Sequence, residues 1–415
     1  MLRLLFKSLI RQGSLRLIIA DRKSYVIGDG SPPSVTVKLH EKKLEWTIGF
    51  NPHLKIGEAY MDGTLTIEEG SLYEFLRLLM ENYNNPERSK LLKLLERLNG
   101  YTARFKQFNP ISLARKNVAH HYDLPDRLYK YFLDSDRQYS CAYFRKPGIS
   151  LEQAQREKKR HIASKLLLDR PNLKVLDIGS GWGGMGLYLA REAACQVTGV
   201  TLSVEQYRIS RGRAQSEGLD KTCRFELRDY RQEKGPYDRI VSIGMFEHVG
   251  KKNYDEFFSR IRGLLADDGV CLLHTVGRLN EPSPVNAFIR KHIFPGTDVP
   301  VLSEVVDPIE RSGLFVTDVE VLRLHYAETL KEWTDRLQSH RDEIINLFGE
   351  CFYRKWEFYM IACECGFRYD RLVVFQVQLS KRLETLPVTR DYMHEWEHSH
   401  GVASDTGVVG LRRSR

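Results

Sequence analysis

Short apolar runs open the chain, over residues 15–20, 24–27 and 34–39, separated by Gly28-Asp29-Gly30 and Ser31-Pro32-Pro33. Runs of this length between turn residues predict a small, largely β module over residues 1–70. From Ser71 the spacing becomes helical, with Leu72, Phe75, Leu76 and Leu79 on one face and a break at Asn84-Asn85-Pro86; this predicts a helical connector over 71–108. Over 109–385 strand and helix signals alternate, which predicts an α/β domain on a mostly parallel sheet. Its strands are expected near 174–178, 196–200, 223–227, 238–243, 269–275, 315–324 and 371–379, with helices from Ser203 and Asn253. Residues 276–303, rich in Pro, Asn and basic side chains, break the alternation and read as an insertion over a site. Residues 386–415 are polar and expected to be mobile.

Composition narrows the class. A chain of 415 residues, 42% hydrophobic, buries a sizeable core in two or three domains. Its 63 Lys and Arg against 54 Asp and Glu give a charge of +9, suited to an anionic surface. The charge is scattered and no zinc-finger or RNA-binding signature appears, so no nucleic-acid partner is expected. Seven cysteines without a framework spacing point to a reducing, cytoplasmic setting. The basic, apolar N-terminus is interrupted by Arg3, Lys7, Arg11 and Arg16 before it reaches the length of a signal or spanning segment, and is expected to dock on its own domain. His394-Glu395-Trp396-Glu397-His398 spells a zinc-protease helix, but it stands in the polar tail, and no metal site is expected. Gly244 to Lys252 misses a phosphate loop by one residue.

Gly179, Gly181 and Gly184 follow a strand that ends in Asp177 and open a helix, the context in which a glycine pattern signals a nucleotide-type site. A nicotinamide dinucleotide calls for an acid at the end of the second strand, and Thr201 stands there instead. Asp229 after the third strand suits the amino group of an adenine, an arrangement that resembles the S-adenosylmethionine-dependent methyltransferases.

Longer segments narrow the resemblance. Gly57-Glu58-Ala59-Tyr60-Met61-Asp62-Gly63, His120-His121-Tyr122-Asp123-Leu124, Tyr139-Ser140-Cys141-Ala142-Tyr143-Phe144, Ser242 to Gly250, Leu273-His274-Thr275, His325-Tyr326 and Ala362-Cys363 resemble the cyclopropane fatty-acid and mycolic-acid cyclopropane synthases over nearly the whole chain. The N-terminal module resembles the branch that acts on phospholipids. Ser180 departs from a frequent Cys. The resemblance implies a Rossmann-like class I methyltransferase fold, with a seven-stranded sheet, helices on both faces, and the small N-terminal domain beside it. It implies S-adenosylmethionine as methyl donor, held by Tyr139, Ser140, Asp177, Gly179, Gly181, Thr201, Gln206, Asp229 and Ile243, and bicarbonate as base. The acceptor side would be Glu247, His274, Tyr326, Cys141 and Cys363. The product would be a cyclopropane ring on an unsaturated acyl chain of a phospholipid. The implied setting is the cytoplasmic face of an anionic bilayer, met peripherally, with Arg290, Lys291, Lys251 and Lys252 as headgroup contacts and a homodimer surface as one role open to the N-terminal module. Competing readings are methylation to a non-cyclopropane product, an amine methyltransferase, and a lipid-binding protein without turnover. Taken singly, His274 and Tyr326 read equally as core residues, and Cys141 and Cys363 as buried thiols. The stripe Phe348, Phe352, Trp356, Tyr359 and Cys363 reads first as core.

Overall fold

The computed structural model describes residues 2–83 and 126–401. The second part of the expected connector and the His120 to Leu124 motif lie outside the described residues. The N-terminal module begins with helix α1 (Leu2–Leu9) and forms a sheet of β1 (Ser14–Ile18), β2 (Ser24–Gly28), β3 (Ser34–Leu39) and β4 (Leu65–Glu69) in the order β2-β1-β3-β4. Between β3 and β4 the chain makes α2 (Leu44–Phe50) and α3 (Pro52–Met61), so the module is less β-rich than expected. Leu44 and Ile48, then Ile56 and Ala59, are buried at helical spacing, the period that separates these segments from the strands around them. Helix α4 (Leu72–Tyr83) follows, and Phe75, Leu76 and Leu78 face the core.

After α5 (Asp126–Phe132) and α6 (Leu151–Ser164), the α/β alternation runs as expected: β5 (Lys174–Ile178), α7 (Gly184–Glu192), β6 (Gln196–Thr201), α8 (Val204–Ser216), β7 (Cys223–Leu227), β8 (Tyr237–Ile243), α9 (Tyr254–Leu264) and β9 (Leu265–Arg278). The insertion contains α10 (Ala287–His292), and α11 (Leu302–Ser312) and β10 (Phe315–Leu322) follow it. Then come α12 (His325–Ser339), α13 (Arg341–Phe348), α14 (Glu350–Tyr369) and β11 (Leu372–Ser380). The seven strands order as β10-β11-β9-β8-β5-β6-β7, with β11 alone antiparallel to its neighbours. This is the Rossmann-like methyltransferase architecture that the resemblance implies.

The N-terminal module shares one core with α12 and α14. Gly57 permits the close approach: a Cβ there would lie 2.5 Å from the Phe288 ring and 2.8 Å from that of Phe358. Beside it, buried Glu58 accepts from Lys55 at 2.7 Å, Lys291 at 2.6 Å and His292 at 3.0 Å, and these hydrogen bonds outweigh burial and hold its carboxyl down at about 2. Lys291 is therefore paired with a carboxylate of the protein itself while still exposed, as is Lys251 with Glu304. Tyr60 donates to Glu357 of α14 at 2.5 Å.

Helix α6 inverts its sequence. LEQAQREKKRHIAS reads as a solvated surface helix, yet 11 of its residues, Lys158, Lys159 and Arg160 among them, are buried. The polar tail is one reason, and it departs from the expected mobility: residues 391–399 form helix α15 (Asp391–Ser399), which packs on α6. Sequence distance hid this, because the tail's partners lie far back in the chain. His161 is clamped between Glu397 of α15 and Glu320 of β10, each at 2.6 Å, and its ring stacks 4.1 Å from that of Tyr143. Tyr392 accepts from Gln378 of β11 at 2.8 Å. The two histidines of the zinc-protease-like run belong to α15, and among the described residues no cluster suited to a metal forms. Among those residues, too, no helix is long and apolar enough to cross a membrane.

The two carboxylates raise the His161 pKa against the opposing effect of burial. The gain in stability is thus complete below the ordinary histidine value of 6.5 and disappears as pH rises through the folded pKa. His161→Gln is expected to lose on the order of 2 kcal/mol in denaturant titration at pH 6. The deficit should shrink at pH 9, and a pH-independent deficit would contradict the clamp.

Candidate active site

The site grows from the carboxyl ends of the parallel strands, where open α/β sheets leave a crevice. The chain leaves β5 at Ile178 and enters α7 through a turn in which Gly179 and Gly181 have φ of +80° and +55°. Only glycine takes these angles without strain. A Cβ at Gly179 would meet Met245 at 2.9 Å, whereas none would meet anything at Gly181, which faces the open pocket. At the amino end of α7 the Gly186 amide donates to the Asp177 carboxyl.

All nine residues expected to hold the methyl donor line this one pocket: Tyr139, Ser140, Asp177, Gly179, Gly181, Thr201, Gln206, Asp229 and Ile243. Thr201 at the end of β6 donates to Gln206 Oε1 at 2.9 Å, and Ser203 caps α8 by accepting from the Gln206 amide at 3.3 Å. Asp229 is buried and bound by Arg231 through two contacts, Nε to Oδ1 at 2.9 Å and Nη2 to Oδ2 at 2.7 Å. Asp177 lies at the bottom; its Oδ2 has no partner within the protein, and burial pushes its carboxyl up to about 7. Ser180 Oγ is likewise buried without a partner. The pocket also takes in Arg137, Gln138, Trp182 and His248, which the sequence reading missed. His248 had a signal, since it directly follows Glu247; burial pulls its pKa down to about 4 and keeps it neutral.

None of the five residues expected on the acceptor side is in the lining of this pocket. Glu247 sits in a 3₁₀ turn (Phe246–His248) after β8. Its Oε1 accepts from the Val276 amide at 2.6 Å, its Oε2 is buried with no partner, and burial raises its pKa to about 7. Tyr326, in the first turn of α12, is within electrostatic reach of Glu247, Cys141, Cys363 and Tyr359. Burial holds Tyr326 and Cys141 neutral and pushes the Cys363 thiol up to about 12, so no thiolate is present. His274 is placed differently. It adjoins Thr275, so its side chain leaves the opposite face of β9 from the Thr275 side on which Glu247 bonds. It lies 3.1 Å from Gln376 of β11 and feels the charge of Lys158, which also acts on Cys141. Burial keeps it neutral. Aromatic rings wall the region: Tyr139 packs on Tyr129 and Trp333, and Trp356 on Phe132 and Tyr359. The Phe348 to Cys363 stripe belongs to this core.

Comparison with known proteins follows the same outline. Residues 111–377 match the family described as Mycolic acid cyclopropane synthetase, and residues 2–90 match a domain of unknown function. A probable fatty acid methyltransferase of Pseudomonas putida is 33% identical, over 92% of this chain and 96% of that protein. The cyclopropane-fatty-acyl-phospholipid synthase of Escherichia coli K12 is 36% identical, over 80% of this chain and 84% of that one. Among solved structures, the mycolic acid cyclopropane synthase CmaA1 complexed with SAH and CTAB superposes with a TM-score of 0.61 at 34% identity, covering 66% of this chain and 99% of its own.

A carboxyl raised from 4.5 to about 7 by burial costs the folded state stability as pH climbs from 4.5 to 7, and by a constant amount above that. Glu247→Gln is therefore expected to be more stable than the wild type at pH 8, by about 3 kcal/mol, and equal to it at pH 4. Thermal midpoints at the two pH values check this.

Proposed function

The chain belongs to the mycolic acid cyclopropane synthetase family, and from that premise we propose that it adds the methyl carbon of S-adenosylmethionine across the cis double bond of an unsaturated phospholipid acyl chain, closing a cyclopropane ring. The observation that carries the reading is Glu247: a buried carboxyl with one oxygen unpartnered, directly before His248 of the methyl-donor pocket and within electrostatic reach of Tyr326. The donor pocket fits its ligand. Its positive-φ glycines, its unpartnered Asp177 oxygen and the Thr201–Gln206 pair supply the close backbone, acceptor and amide that an amino-acid nucleoside needs.

S-adenosylmethionine supplies an electrophilic methyl group when bound. The protein's part is to orient the alkene, exclude water and remove one proton. Transfer to an alkene leaves a positive charge on the acyl chain. Ring closure then needs a base at the added methyl group. A carboxylate acting directly would itself be alkylated, whereas bicarbonate accepts the proton and departs. In this proposal Glu247 Oε2 orients bicarbonate, and a pKa near neutrality lets that oxygen carry a proton and donate it to the anion. Tyr326 completes the hydrogen-bonding set, Cys141 and Cys363 shape the cavity, and neutral His274, on the other face of β9, stands outside it. The net charge of +9 supports docking on anionic lipid. Methylation to a branched, ring-free product is the competing reading.

Expression in a host that lacks cyclopropane lipids, followed by fatty-acid analysis, tests the proposal: ring protons are expected in the product, and a methylated product without them overturns it. Glu247→Gln is expected to lower turnover about 100-fold with S-adenosylhomocysteine binding retained, and added bicarbonate to stimulate a depleted wild-type preparation. Asp229→Ala is expected to weaken binding of the same ligand by about 1–3 kcal/mol in calorimetry. Binding to vesicles should favour anionic lipid and fall with salt.

A further inference from the structure

Helix α6 carries a lysine wholly removed from solvent. Lys158 donates from Nζ to Gln138 Oε1 at 2.6 Å and to Ser140 Oγ at 2.9 Å. One turn earlier, Gln155 Nε2 donates to the carbonyls of Ser140 at 3.0 Å and Gln138 at 3.3 Å. The same face of α6 thus holds segment 138–140 by its side chains and its backbone. Gln138 and Ser140 line the donor pocket, and Lys158 stands behind them. Burial of an ammonium is costly, and it pulls the lysine pKa down to about 8 while Asp134 and Asp136 oppose the shift. An apolar residue would fill the same space without that cost.

We infer that Lys158 is a positioning residue: it fixes the direction of the Ser140 hydroxyl, so that Ser140 donates into the pocket to the carboxylate at the amino-acid end of the methyl donor. The inference rests on the reading of this pocket as an S-adenosylmethionine site. A serine hydroxyl has a single proton, and its oxygen accepts through lone pairs. An ammonium proton occupies the side of Oγ that faces α6, so the serine proton turns away from Nζ, toward the pocket.

The position along the pocket selects the group that it meets. Thr201 and Asp229 mark the end beside β6 and β7, whereas Ser140 lies at the other end, next in sequence to Cys141 and its neighbour Tyr326. A sulfonium facing the Tyr326 cluster puts the nucleoside at the Thr201 end and the amino acid at Ser140. Of the two charged groups on that amino acid, a donor selects the carboxylate. The ammonium is left to the unpartnered oxygen of Asp177.

Calorimetric titration with two ligands tests this: S-adenosylhomocysteine, and 5′-methylthioadenosine, which lacks the amino-acid end. Lys158→Met and Ser140→Ala are each expected to weaken S-adenosylhomocysteine on the order of tenfold and to leave 5′-methylthioadenosine unchanged. The double variant is expected to be no weaker than either single one, since the lysine acts through the serine. Lys158→Gln, neutral and one atom shorter, is measured in parallel should the methionine variant not fold, with the same result expected. Wild-type affinity in the lysine variants, additive losses in the double variant, or an equal loss for 5′-methylthioadenosine would each overturn the inference. A wild type that binds neither ligand would overturn the reading of the pocket instead.

Discussion

Desolvation governs the carboxyl edge of the large sheet. Asp177, Glu247, His248 and His274 are all withdrawn from water, and burial is the largest influence on each. Where a surface site would tune charge with salt bridges, this one removes it: the acids move toward neutrality and the histidines stay uncharged. A reaction that creates a cation on a hydrocarbon chain needs such a setting, because water would capture the cation before a ring closed. Lys158 is the exception, a cation kept inside by two acceptors on the wall of the pocket.

The scaffold around this edge is tied across long sequence separations. Glu58 reaches the insertion through Lys291 and His292, Tyr60 reaches α14 through Glu357, and Glu397 reaches α6 through His161. Each tie joins a chemical wall to a distant part of the chain. The N-terminal module is accordingly continuous with the core that carries Tyr326 and Cys363. A substitution at Gly57 would separate α3 from Phe288 and Phe358 and act on the chamber from outside it.

Local chemistry was legible in the sequence and distant pairing was not. The strand, glycine turn and helix around Gly179 could be placed from a few residues, and so could Glu247 just past β8, because strand ends and backbone angles are local properties. Helix α6 is illegible in sequence: nothing local marks its charges for burial, and their partners Glu320, Asp136 and Glu397 of α15 lie elsewhere in the chain. Residues 391–399 of the tail depart from expectation for the same reason, since polarity predicts mobility only where no buried partner waits, while 402–415 lie outside the described residues. Segment 41–61 was absorbed into a β module because short turn signals on either side outweighed its helical period. His274 shows a finer limit. Its place on the strand was readable, but the face it takes follows from register with Gln376 of β11.

The placement of β11 gives the enzyme an order of assembly. This strand is the last of the sheet to be synthesised, yet it lies inside the sheet between β9 and β10. While the chain is still emerging from the ribosome, those two strands can fold on either side of an open slot, and the slot closes only when residues 372–380 arrive. Gln376, the partner of His274, and Gln378, which receives Tyr392, arrive with it. A nascent chain stopped before that point holds every glycine of the donor turn and every residue of the acceptor set, yet it carries a split sheet with two unpaired edges. Until residues 372–380 are in place the sheet is split, and β9 and β10 each present an unpaired strand edge.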